Sequence, residues 1–234
     1  MAMFHKTSPR PMALTLRVLA RLLSYPDAEL RAHLGEMRDA LHREAALTAS
    51  RQAEIDALVE RLGSGPALDA EACYVDLFDR GRGTALHLFE HVHGDSRDRG
   101  PAMVDLVQTY EQAGLLLAPG ELPDHLTVVL EYASTQPPAQ AAEFLKEIAH
   151  ILQSIFSALR KRESAYASVL AALLELAGEK AQAVLLPAEA GLDESWEEPL
   201  AFDGCSTQGQ ARPGQPQPIR IVPRPASPPQ GASA

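Results

Sequence analysis

Proline and glycine cut this chain into short segments, and inside nearly every segment the large apolar residues recur at helical spacing. Leu14, Val18 and Leu22, with Leu19 and Leu23 beside them, run up to Pro26, whose ring disfavours helix at Tyr25. Ser24-Tyr25-Pro26-Asp27 is therefore a corner. A second helix carries Leu30, Leu34, Met37 and Leu41 on one stripe; a third carries Ile55, Leu58, Val59 and Leu62 until Gly63-Ser64-Gly65-Pro66 stops it. A fourth is expected from Asp69 to Phe78, ended by Arg80-Gly81-Arg82-Gly83. Pro101 suits the first turn of a helix bearing Met103, Leu106, Val107 and Tyr110. Past the loop Ala118-Pro119-Gly120, Pro123 is expected to begin another helix through Leu126, Leu130 and Ala133. After Pro137-Pro138, one stripe from Phe144 through Ile148, Ile151 and Ile155 to Leu159 predicts a single amphipathic helix across the middle of the core. A last helix through Tyr166, Val169, Leu170, Leu173 and Leu174 ends at Gly178. No strand-like alternation and no fixed repeat interrupts this pattern. The expected fold is all-α: a single irregular helical bundle over residues 14–186, preceded by a flexible N-terminus over 1–13.

Composition bounds what such a bundle can do. Beyond Leu186 stand nine of the chain's 18 prolines and few large apolar residues, so 187–234 is read as a disordered proline-rich C-terminal tail in which Trp196 stands alone. A formal net charge of −10 excludes a broad nucleic-acid surface and suits a basic peptide better. Cys73 and Cys205 lie far apart, which predicts neither a disulfide framework nor a zinc site and fits a reducing compartment. The first eleven residues lack the apolar run of a signal peptide, and Ala165–Ala177 is too short to span a bilayer and contains Glu175. The expected location is cytoplasmic, with no membrane insertion.

The stretch from Thr84 to Met103 gathers three histidines, three acids and two arginines around Gly94 and Gly100. It has two readings. On a helix His87 and His91 share a face one turn apart, and with Glu90 they give the spacing H-x-x-E-H of a zinc-dependent hydrolase, with a third ligand drawn from Glu131, Glu143 or Glu147. Alternatively the run is a recognition surface, with Arg97 and Arg99 paired to Asp95 and Asp98 and the histidines donating hydrogen bonds or stacking. A generic helical adaptor is a third possibility.

Tyr74-Val75-Asp76-Leu77-Phe78-Asp79 and the run from Leu86 to Gly100 resemble the nitrate reductase delta subunit family of molybdenum-cofactor assembly chaperones. Glu121-Leu122-Pro123-Asp124-His125-Leu126 resembles the E-x-P-D-H element of the wider group of redox-enzyme maturation chaperones. The resemblance spans roughly Leu16 to Gly178. It implies an all-helical, non-enzymatic chaperone with no cofactor of its own. Its partner would be the catalytic (alpha) subunit of a respiratory nitrate reductase, bound through its N-terminal segment. The chaperone would keep that subunit competent for molybdenum-cofactor insertion before membrane assembly and be absent from the finished enzyme.

An amphipathic peptide can lay its apolar face between helices while an acidic rim attracts its basic residues. Tyr74, Phe78, Phe89 and Met103 are candidates to line such a groove, although helical spacing equally makes Tyr74 and Phe78 ordinary core. His87, Glu90, His91, His93, Asp95 and Arg97 are candidate polar contacts. Glu121, Asp124 and His125 join them, held at a turn by Pro119, Gly120 and Pro123; Asp124 could equally cap the helix that follows. The histidines suggest binding that varies with pH near neutrality.

Overall fold

The computed structural model describes residues 10–94 and 96–184. The chain divides into two units, Met1–Glu189 and Ala190–Ala234, and all described residues lie in the first. Residues 1–9, the tail with Trp196, and Asp95 fall outside the description.

The elements run α1 Ala13–Leu22, α2 Ala28–Ala32, α3 Leu34–Glu44, α4 Ala49–Gly63, α5 Ala67–Tyr74, α6 Leu88–Val92, α7 Arg99–Gln112, α8 Leu126–Thr135, α9 Pro138–Glu147, α10 Ala149–Lys161 and α11 Ala167–Leu176. A π-helical turn, Val75–Asp79, extends α5, and a 3-10 turn, Arg82–Thr84, follows it. The regular structure among the described residues is thus helical, joined by turns and loops. The one β-type contact among them is an isolated antiparallel bridge between His87 and His125.

Several boundaries shift for identifiable reasons. Asp27 accepts a hydrogen bond from Leu30 N (2.7 Å), capping α2 just after the Pro26 corner. The stripe from Leu30 to Leu41 breaks at His33, which ends α2 and precedes α3. The long stripe from Phe144 to Leu159 likewise divides at Ile148, whose φ of −91° and ψ of 4° separate α9 from α10. Pro123 does not open α8. It is buried in the preceding turn, and the helix begins at Leu126.

The centre of the core is α11 rather than the Phe144–Leu159 stripe. Ala167, Val169, Leu170, Ala171, Ala172, Leu173 and Leu174 are all buried, and a helix apolar on every side must be enclosed by others. α1, α4, α9 and α10 surround it. At its end Gly178 takes φ +77°, and the Glu179 N–H reaches back to Leu174 O (2.8 Å), closing the turn that glycine permits. α10 buries Ile151, Leu152, Ile155 and Leu159, and α1 buries Leu16, Leu19, Leu22 and Leu23. Leu14, on the stripe expected for α1, stands 40% exposed in the first turn of the helix, whereas Val18 and Leu22 on the same stripe are buried.

Candidate functional site

The polar residues singled out in the sequence converge where two extended stretches meet. Leu88 N donates to Asp124 O (3.0 Å) and Leu126 N to Leu86 O (2.8 Å), so the backbone around His87 pairs with the backbone around His125. That pairing places the rings of His87 and His125 edge to face, 4.9 Å apart. The Tyr110 hydroxyl donates to Pro123 O (2.8 Å) and ties α7 to the same turn.

Asp124 is the hub. It is completely buried, and an unpaired carboxylate there would cost several kcal/mol, so its partners decide whether the fold is tenable. Phe89 N donates to Oδ2 (3.2 Å), His87 Nδ1 lies 3.4 Å from Oδ1, and Arg99 Nη2 lies 3.7 Å from Oδ2. The carboxylate therefore caps α6, thirty-five residues earlier, and not the helix that follows it. Burial alone would raise the Asp124 pKa; the hydrogen bonds from His87 and Phe89 and the charge of Arg99 outweigh it and hold the group below the ordinary carboxylate value. The same hydrogen bond raises His87 against the opposing effect of its partial burial. His125 shifts the other way: burial, then the neighbouring charge of His87, lower its pKa. One histidine favours its proton and its neighbour rejects one.

This arrangement excludes the zinc reading. His87 is not helical; it precedes α6 with ψ 106°, so it does not share a helix face with His91. His91 Nε2 donates to Ala85 O (2.9 Å). Among the described residues no group of three or more histidine, cysteine or acidic side chains is placed to hold a metal ion. The expected pairing of Arg99 with Asp98 is also corrected, since Arg99 reaches Glu90 (3.8 Å) and the buried Asp124 (3.7 Å).

Beside the hub lies a cleft of about 310 Å³ lined by Tyr74, Phe78, Asp79, Arg80, Gly81, Arg82, Ala85, Leu86, His87, Glu90 and His125. Five of the expected residues meet there: Tyr74, Phe78, His87, Glu90 and His125. Tyr74 and Phe78 are also core. Both are buried, they pack on each other and on Tyr166, and the Tyr74 hydroxyl donates to Leu23 O (2.8 Å). Phe89 packs against His93 at 5.3 Å, Met103 is half-buried on α7, and Arg97 is exposed; none of them, nor His91, lines the cleft. Glu121 faces a different groove, lined by residues of α1, α8 and the Leu115–Ala118 loop. Sequence reasoning missed Asp79, Arg80 and Arg82, having taken Arg80-Gly81-Arg82-Gly83 only as a helix stop. The signal was two arginines inside a glycine-punctuated turn.

Fold and site together define an irregular helical bundle that gathers a buried carboxylate, two histidines and an arginine beside a cleft. A solved structure of a putative redox enzyme maturation protein from Archaeoglobus fulgidus shares the fold, with a TM-score of 0.51 at 18% identity over 76% of this chain and 99% of that one. The family model for the nitrate reductase delta subunit matches residues 25–172. The nitrate reductase molybdenum cofactor assembly chaperone NarJ of Escherichia coli K12 is 49% identical over 162 residues, 69% of each chain. The probable chaperone NarW of the same organism is 42% identical over 163 residues, 70% of this chain and 68% of that one. The chain belongs to the nitrate reductase delta subunit family and is a NarJ-type chaperone, not an enzyme.

Proposed function

We propose that this protein is the assembly chaperone of a nitrate reductase: it binds the apo catalytic (alpha) subunit through that subunit's N-terminal segment and holds it open for molybdenum-cofactor insertion. It acts in the cytosol, before membrane assembly, and leaves the finished enzyme. The observation that carries this reading is the cleft itself, in which Tyr74, Phe78, His87, Glu90 and His125 come together from separate stretches of chain in a family of chaperones. Apolar walls and two imidazoles suit the apolar face of a peptide, the acidic Asp79 and Glu90 suit its basic residues, and Arg80 and Arg82 on the same lining suit its carbonyl or acidic groups. The buried Asp124 supports this by fixing the backbone on both sides before the client arrives, so that less ordering entropy is lost on binding.

Calorimetric titration with a synthetic peptide from the N-terminus of the cognate catalytic subunit tests it. The expected result is saturable one-to-one binding, weakened about tenfold or more by His125→Ala and by Glu90→Arg, the order of one lost charge-assisted contact. Asp124→Ala is a poor probe, because it strands the α6 N-terminus as well. Absence of binding by the folded protein to both the peptide and the intact apo subunit would remove the chaperone assignment.

A further inference from the structure

A second cavity, of about 360 Å³, shares no lining residue with the cleft. Two chain reversals build it. Gly65, at φ +107°, carries the chain from α4 into α5 in a conformation that suits glycine, and Glu163, at φ +53°, turns it from α10 toward α11. Leu58 and Leu62 of α4, Ala70 of α5 and Leu77 of the π-helical turn give the cavity apolar walls.

Its polar groups show what it lacks. Tyr166 lines it and is only 4% exposed, yet its hydroxyl has no hydrogen-bond partner among the described residues, whereas the hydroxyl of neighbouring Tyr74 is taken up by Leu23 O. Buried hydroxyls are almost always paired, so an acceptor is missing at this point. Cys73, the free cysteine among the described residues, is exposed and lines the same cavity. Burial raises the Tyr166 pKa, and Tyr74 and then Cys73 raise it further, which sets the thiol near the unpaired hydroxyl. On the rim Arg162 is engaged by Asp76 (2.6 Å), but Arg61, Asp69 and Glu163 close no ion pair among the described residues. A thiol, a hydroxyl without an acceptor, and free charges of both signs thus surround one apolar space.

We propose that Cys73 is a thiolation site whose cavity receives one half of a low-molecular-weight peptide disulfide. A carboxylate of that half meets Arg61, its ammonium meets Asp69 or Glu163, and one of its carbonyls accepts from the Tyr166 hydroxyl. In the reaction the Cys73 thiolate attacks one sulfur of the disulfide, a new S–S bond forms to that half, and the other half leaves as a thiolate. Cys73 is oxidised, the leaving half is reduced, and the proton lost from Cys73 passes to solvent. The same exchange run backward by a free thiol removes the adduct, as a reducing compartment requires. The site is separate from the client cleft and stands without the chaperone reading.

The test exposes the reduced full chain to oxidised glutathione and, in parallel, to bis(2-hydroxyethyl) disulfide, which carries neither charge nor peptide carbonyl. Peptide mass spectrometry follows the adduct at Cys73 and at Cys205, the chain's other cysteine, which serves as the reference. The expected result is a Cys73-to-Cys205 rate ratio several-fold higher with glutathione than with the uncharged reagent. Arg61→Gln should remove most of that excess. Tyr166→Phe, which keeps the ring, should leave several-fold less mixed disulfide at Cys73 in a glutathione redox buffer, with circular dichroism checking that both variants keep their helicity. Equal ratios for the two reagents would mean an exposed thiol with no built site around it and would overturn the proposal. An excess that survives both substitutions in folded variants would overturn it as well, since neither the rim charge nor the buried hydroxyl would then select the adduct.

Discussion

Asp124 shows what one residue can decide. Its carboxylate is buried, capped by a backbone N–H, and set between an imidazole and a guanidinium, so it ties together segments far apart in sequence. Its lowered pKa contributes stability at pH values above the ordinary carboxylate range, and that stability is lost as pH falls through the lowered value. The raised pKa of His87 works at the other limit: its contribution is complete below the ordinary histidine value of about 6.5 and is lost as pH rises through the raised one. His125, lowered by burial, contributes above that ordinary value and loses its contribution as pH falls through its own lowered pKa. In an NMR titration His87 should titrate above a free histidine and His125 below it. Asp124→Asn should bring His87 down toward or below about 6.5, since its main stabilising partner no longer carries charge. A His87 titration that stays put in the variant would mean that the pair does not govern its proton.

Among the elements, the π-helical turn and the bend after it shape the cleft. Arg80 N bonds Val75 O (3.2 Å) in the wider π pattern, and Thr84 Oγ1 then donates back to Leu77 O, folding the chain sharply at Gly81. A side chain at Gly81 has nowhere to go: its Cβ would lie 2.9 Å from Leu77 O and 2.8 Å from Arg162 Nη1, and it would also collide with Thr84 Oγ1. Arg162 can move; the Leu77 carbonyl cannot. Gly81→Ala is therefore expected to cost about 1–3 kcal/mol in urea unfolding, as overpacking of a tight site does. Gly35, exposed near the start of α3 with nothing within 4 Å of its Cβ, provides the contrast. Gly35→Ala should stabilise by up to about 1 kcal/mol, because only the unfolded chain loses freedom. Equal effects at the two positions would contradict this account of the bend.

At the scale of the molecule, the net charge of −10 means that the proposed binding of a basic client segment should depend markedly on salt. Raising ionic strength from about 0.05 to 0.5 M shortens the screening length severalfold, and peptide affinity should fall by roughly an order of magnitude. An affinity flat across that range would assign the binding to apolar contacts alone. The same molecular view shows what could be read in advance. Helical spacing and proline punctuation determined the helices except for the breaks at His33 and Ile148 and the short α6 inside the polar run, because periodicity reports which residues want burial and is blind to a one-residue kink or a single polar turn. The motif runs determined the family and, through it, the residues around His87 and His125. Sequence could not place α11 at the centre, since an all-round apolar helix and a strongly amphipathic one compete for that position until packing is settled. Nor could it show that H-x-x-E-H is split between an extended residue and a short helix, or that Asp124 caps α6. Both depend on the pairing of the 86–88 and 124–126 backbones, a contact between distant segments. Local propensity is written in the order of the residues, but which buried charge meets which donor is fixed only when the helices close around it.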